Sequence, residues 1–234
     1  MQYGGQAEAI VSACRRLHAR GLLAGTEGNV SMRVSDEFML ITPSGADKAT
    51  LSPEQMVLAS LVLGPNHHSA SEGASEHDSE ARDSATRPSS EIGMHRACYA
   101  ARPDVRAVVH AHPPVATGLA TAGKTLPANV LSELPVVVGP VALVPYVRPG
   151  TPELGAAMAP LLAGHEVFLL GNHGVTAVGQ SLEEALQRME STEQAARIIF
   201  VAQVMGGMLT LPQTEVEDLQ ALHPRAAARF HNTL

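Results

Sequence analysis

Apolar residues recur at helical spacing over residues 7–20, where Ala9, Ile10, Ala13, Cys14 and Leu17 share one face and Arg15, Arg16 and Arg20 lie elsewhere. That period predicts an amphipathic helix, ended by Gly21. The period then drops to two. Residues 30–34 alternate, and residues 38–42 follow after Ser35-Asp36-Glu37, a pattern that predicts a hairpin. Ser52-Pro53-Glu54 predicts one helical turn and residues 56–63 another strand. Ser89-Ser90-Glu91 opens a predicted helix, with a Ser cap and Glu in the first turn, and Pro103 closes it. A β-branched strand over 105–111 is stopped at Pro113-Pro114, and a short helix covers 114–122. Two β-rich pieces, 136–138 and 141–144, are broken by Gly139-Pro140. A helix over 151–163 is followed by strands 166–170 and 175–178, which flank the turn Gly171-Asn172-His173-Gly174. Ser181-Leu182-Glu183-Glu184 is close to a capping box for a long helix to about residue 204, and a polar tail helix spans about 213–231.

Between these elements, residues 66–88 are almost purely polar and cannot bury enough apolar surface to offset their ordering entropy. They are expected to form a flexible surface insertion, its His67, His68 and His77 solvated rather than metal-binding. Strands linked by hairpins as often as by helices imply an α/β protein. A mainly antiparallel or mixed sheet flanked by helices is expected, in a single domain over 1–234.

Composition narrows the function classes. A 45% apolar content fits a soluble globular protein, and a net charge of -7 argues against a general nucleic-acid binder. No apolar run approaches the roughly 20 residues of a membrane span, and the first residues lack a signal-peptide pattern. Cys14 and Cys98 have no CxxC spacing and are expected to be reduced core thiols of a cytoplasmic protein.

Side chains two apart on a strand point the same way, so His110 and His112 project together from the end of their strand. With His173 they form a three-imidazole set with an open position, the pattern of a catalytic zinc site. His173 could equally fill its turn. Glu91 is the candidate acid–base, a carboxylate able to move a proton α to a metal-bound carbonyl. Its position alone fits better a Glu that merely complements the helix dipole. Thr26, Gly28 and Asn29, then Ser44 and Gly45, then Ser89 and Ser90, sit in two short Gly-containing loops and a helix N-terminus. Backbone N–H groups and hydroxyls of this kind hold a phosphate dianion if the three pieces converge. Taken singly, each is an ordinary turn.

The segments GTEGNVSMR, ITPSGAD, SSEIGMHRACYAARPDVRAVVHAHPPVAT, VPYVRPGTPEL and LLGNHGVTAVGQSLEEAL, in that order, resemble the class II aldolase/adducin family. The resemblance runs from about residue 9 to 202, outside the 66–88 insertion and the tail. It implies a three-layer α/β/α fold with a central, mainly antiparallel sheet, assembled as a homotetramer. It also implies one Zn2+ per subunit on His110, His112 and His173, with Glu91 as acid–base and further metal contact. Asn29, Ser44, Gly45, Ser89 and Ser90 fall on the family's phosphate site, with Thr26 and Gly28 shaping its loop. The implied activity is a zinc-dependent aldolase that cleaves a ketose 1-phosphate, of the L-fuculose 1-phosphate kind, to dihydroxyacetone phosphate and a small aldehyde. The partner is thus a small sugar phosphate, with neither nucleic acid nor membrane.

Three departures bear on that activity. Glu27 stands where the fuculose-phosphate enzymes carry a small residue, and it is expected to point outward. The stretch LPANVLSEL lacks the Tyr that those enzymes use at the aldehyde end, leaving Leu131 and Glu133 as candidates there. The tail has no Tyr to fold over the site. The alternatives on this scaffold are a methylthioribulose-1-phosphate dehydratase and a sugar-acid phosphate decarboxylase. The 4-epimerases carry Asp where Glu91 stands. A non-catalytic adducin-like module loses the metal histidines, all three of which are kept here.

Overall fold

The computed structural model describes residues 3–62 and 87–223. In chain order the elements are α1 (Gly4–Ala19), β1 (Asn29–Arg33), β2 (Phe38–Ile41), β3 (Val57–Ser60), α2 (Ile92–Ala101), β4 (Ala107–Ala111), α3 (Pro114–Thr121), β5 (Val141–Val144), α4 (Pro152–Met158), β6 (Val167–Leu170), β7 (Gly174–Gly179), α5 (Leu182–Val204) and α6 (Gln213–Ala221). The seven strands form one mixed sheet in the order β3-β2-β1-β4-β7-β6-β5, antiparallel throughout except for the parallel β5–β6 pair. The expected α/β class and mainly antiparallel sheet are therefore present.

Strand alternation builds the layers. Ala107, Val109 and Ala111 of β4 join the core cluster that contains α1, α3 and α5, whereas Val108 joins the one that contains α2 and α4. Likewise Val167 and Leu169 of β6 face the first cluster, and Phe168 and Leu170 the second. Helices thus cover both faces. Both neighbours of β4 are antiparallel to it, with Asn29 opposite His110 on one side and Thr176 opposite His110 on the other.

Several expected boundaries shift for physical reasons. Residues 136–138 are not a strand: Leu134–Val138 forms a π-helical turn, closed by a Gly139 N–H to Leu134 carbonyl bond of 2.8 Å at a glycine with φ of 72°. The helix expected over 151–163 ends at Met158 and continues as a 3-10 turn, Ala159–Leu161, because Pro160 has no N–H to donate. Helix α2 starts at Ile92, so Glu91 is its N-cap residue and not part of its first turn. The tail helix is seen as Gln213–Ala221, and its expected extension to 231 runs beyond the described residues. The expected insertion lies outside them as well, apart from Arg87 and Pro88 at its end. Among the described residues no helix is long and apolar enough to cross a membrane. Cys14 and Cys98 are free, and burial pushes both thiols up to about 12.

Candidate active site

The loop between α1 and β1 is laid directly on β4. Gly28 has φ of +67°, and a Cβ there would run into the Leu23 side chain and sit 2.6 Å from the His110 carbonyl oxygen. Only a glycine allows this approach. It delivers Asn29 beside His110 at the start of β1.

The other two loops are stitched to this one. Ser44 N–H donates to Arg87 carbonyl (2.9 Å), and Ser89 N–H to Thr42 carbonyl (3.1 Å), so the segment before α2 lies along the end of β2. Lys48 N–H donates to Gly25 carbonyl at 3.0 Å. Its buried Nζ donates to the carbonyls of Thr26 (2.9 Å) and Ala46 (2.6 Å), so one ammonium clamps both loops. Thr26, Gly28, Asn29, Ser44, Gly45, Ser89, Ser90 and Glu91 all line one cleft of about 740 Å³, together with His112 and His173. The convergence that the phosphate reading required is therefore met.

The three histidines come from two turns of chain. His110 is the fourth residue of β4, fully buried on the side that faces α2 and α4. His112 lies just past the strand, its N–H bonded to Leu22 carbonyl at 3.1 Å. His173 sits in the β6–β7 turn, where Asn172 adopts φ of 53°. Gly174 lets that turn close: a Cβ there would lie 2.5 Å from His112 Cδ2 and 2.7 Å from Ala111 carbonyl. One nitrogen from each ring falls within 4.8 Å of the others.

Tautomers follow from the outer bonds. His110 Nδ1 is 3.0 Å from Val175 carbonyl, which can only accept, so Nδ1 carries the proton and Nε2 bears a lone pair. His112 Nδ1 is 3.3 Å from Glu27 Oε2, which fixes its proton the same way. Yet His110 Nε2 and His112 Nε2 lie 3.2 Å apart, and His110 Nε2 is 3.2 Å from Glu91 Oε2. His173 Nε2 lies 3.1 Å from Glu91 Oε1. The lone pairs of His110 and His112 thus face each other beside the Glu91 carboxylate, an arrangement that a cation between them makes favourable. Burial pushes His110 down to about 3 and also lowers His112, so both present neutral nitrogen. Burial pushes the Glu91 carboxyl up, but the hydrogen bonds from the His173 ring and the Asn29 amide favour its ionised form and hold it below the usual carboxylate range. Neutral imidazoles beside a fixed carboxylate suit a divalent metal.

One expectation fails here. Glu27 does not point outward; it turns into the cleft onto His112. Leu131 and Glu133 do not line the cleft of their own chain. Three residues were not anticipated: Lys48, His95 and the exposed Arg148, which borders the cleft before the Pro149-Gly150 turn. A basic residue next to a Gly-containing loop was the one available signal for Lys48 and Arg148.

A family model for the class II aldolase and adducin N-terminal domain matches residues 8–200. A 3-oxo-tetronate 4-phosphate decarboxylase of Haemophilus influenzae is 29% identical over 92% of this chain and 96% of its own length. A 5-deoxy-D-ribulose 1-phosphate aldolase of Bacillus thuringiensis is 32% identical over 91% of this chain and 92% of its own. The solved structure of an L-fuculose 1-phosphate aldolase superposes with a TM-score of 0.75 at 30% identity, covering 92% of this chain and 94% of that one.

Proposed function

The chain belongs to the class II aldolase and adducin family and is a carbon–carbon lyase of the class II aldolase type, and we propose that it decarboxylates a 3-oxo sugar-acid phosphate such as 3-oxo-tetronate 4-phosphate. This replaces the L-fuculose 1-phosphate cleavage that the motifs alone suggested. Similarity to the decarboxylase over nearly the full length of both chains supports it. The observation that carries it is the inventory of acids in the cleft. Retro-aldol cleavage requires one group to manage the proton of the departing aldehyde and a second to complete the enediolate. Decarboxylation requires only the second, because the departing CO2 takes no proton. Among the described residues no tyrosine lines the cleft, Glu27 is engaged with His112, Glu153 lies exposed at the cleft wall at the start of α4, and Glu91 alone touches two of the imidazoles.

The substrate phosphate sits among Asn29, Ser44, Gly45, Ser89 and Ser90, with Thr26 and Gly28 shaping the wall and Lys48 supplying positive charge beneath. Arg148, at the cleft edge, suits a second anion. Breaking C1–C2 releases CO2 and leaves its electron pair as the enediolate across C2 and C3. Glu91, ionised at rest, takes up a proton and delivers it to C2, giving dihydroxyacetone phosphate with net uptake of one proton. His110, His112 and His173 hold a divalent cation, with zinc the best match to an all-nitrogen set and Glu91 as a further contact. When bound it acts as a Lewis acid toward the developing negative charge. The exposed apolar side chains of Phe200, Val201 and Val204 along α5, and of Met205 at its end, support an oligomer, the homotetramer implied by the motifs.

The test is to incubate the zinc-loaded protein with 3-oxo-tetronate 4-phosphate and follow CO2 and dihydroxyacetone phosphate. Release of both supports the proposal. Cleavage of 5-deoxyribulose 1-phosphate, with no CO2 from the oxo acid, would assign the aldolase reaction carried by the Bacillus thuringiensis relative.

A further inference from the structure

Behind Glu91 runs a line of buried polar side chains that reaches deep into the α2 layer. Glu91 Oε2 accepts from Asn29 Nδ2 at 2.7 Å, and Asn29 Oδ1 meets His95 Nε2 at 2.5 Å. His95 Nδ1 meets Ser31 Oγ at 2.7 Å, and Ser31 Oγ meets Tyr99 Oη at 2.8 Å. His95 and Ser31 are 0% exposed and Tyr99 2%. The elements explain the alignment. Asn29 and Ser31 are two apart on β1 and face the same way, while His95 and Tyr99 are four apart on α2 and stack along one face.

The contact with Glu91 sets the direction of the bonds in this line. Asn29 Nδ2 donates to Glu91 Oε2, so the Asn29 carbonyl faces His95. His95 Nε2 must then carry a proton. Burial pushes His95 down to about 4, so the ring is neutral and Nδ1 is bare. Ser31 therefore donates to Nδ1 and accepts from the Tyr99 hydroxyl. Five groups thus point one way, from Tyr99 to Glu91, and each bond polarises the next.

We propose that His95 and Ser31 are positioning residues of the reaction, which lock the Asn29 amide with its NH2 toward Glu91 and so hold the carboxylate in the orientation that faces the histidine cluster. The line is not a proton wire, because its far end has no exit: Tyr99 is enclosed and burial pushes its hydroxyl up. Nor is it mere satisfaction of a buried ring. Ser31 and Tyr99 could satisfy His95 Nδ1 in either tautomer, and only the link through Asn29 to Glu91 selects one.

Two measurements decide it. The first needs no substrate: ¹⁵N spectra of histidine-labelled, zinc-loaded protein should show His95 neutral with the proton on Nε2. A proton on Nδ1 overturns the proposal. The second rests on the decarboxylase reading. His95→Phe keeps a ring and removes both nitrogens, and should lower kcat about 10- to 100-fold, the usual cost of losing an outer hydrogen-bond partner, with KM within about twofold. His95→Gln, whose amide can donate to Asn29 and accept from Ser31, should recover most of that loss. Equal kcat for wild type and His95→Phe, or equal loss in the Phe and Gln variants in step with their melting temperatures, makes the role structural and overturns the proposal. Should wild type turn over none of the substrates, the decarboxylase reading fails and the tautomer alone decides the positioning role.

Discussion

Two of the rings in the histidine cluster are held by the nitrogen that does not face the centre. His110 leans on Val175 carbonyl and His112 on Glu27. Outer partners of this kind orient a ligand and raise its basicity. Glu27→Gln should therefore weaken zinc binding about 10-fold while leaving the fold intact, read by competition with a chromophoric chelator. Unchanged affinity would make the 3.3 Å contact incidental. Glu91→Gln keeps the shape of the side chain and removes its proton chemistry. Its kcat should fall by about 10²- to 10⁴-fold with zinc still bound, the range for loss of a general acid–base. At this scale the sequence was informative wherever parity or a motif set direction. Two histidines two apart on a strand must share a face. Glu27 was misjudged because it lies between Gly25 and Gly28, both at positive φ, where side-chain direction depends on backbone angles that no residue pattern reveals.

The elements meet at the site through glycine. β4 is paired on both sides, and the β6–β7 turn folds over its end only because Gly174 leaves room beside His112 and Ala111. The φ of Gly174 lies outside the left-handed region, so alanine is excluded there by space and not by backbone strain. Gly174→Ala must push His112 or the turn aside, and zinc content after gel filtration should fall well below one per chain. Gly123→Ala, which meets nothing within 4 Å but has φ of +68°, tests strain alone and should retain its zinc. A Gly174→Ala protein with full zinc would show that the turn can shift without moving the ligands. Most elements were legible because their ends carry strong signals, such as Gly21, Pro103 and Ser181, whose Oγ accepts from Glu184 N–H at 3.1 Å. The stretch 136–138 was not. Three valines suit a strand, but Pro135 and the positive φ of Gly139 wind them into a π-helical turn instead.

At the scale of the whole molecule, the sheet places its chemistry at one end and unites segments far apart in sequence. Metal binding should therefore stabilise the fold. Zinc at 100 times its dissociation constant adds about 2.7 kcal/mol by mass action, so chelation should lower Tm, and His110→Ala should remove that response. The layered sheet was legible from alternation and loop length. The buried line from Tyr99 to Glu91 was not, because it joins β1 to α2 only after the layers pack.

That line has a consequence for acid stability. His95 ordinarily titrates near 6.5, but burial pushes it down to about 4 in the fold. Between those values the unfolded chain takes up a proton that the folded chain refuses. Above about pH 6.5 the two states match and His95 has no effect. As pH falls from 6.5 toward 4 the unfolded state gains, and stability drops by about 3 kcal/mol at the lower limit. His110, pushed down to about 3 by burial, adds to the same acid limb in metal-free protein. Urea unfolding of the metal-free protein at intervals from pH 7.5 to 4 should show this decline. His95→Gln, which cannot titrate, should start lower at pH 7.5 and fall less steeply, so that the two curves converge on acidification. Parallel curves would mean that His95 is protonated as readily in the fold as in the unfolded chain, and the fixed direction of its hydrogen bonds would go with it.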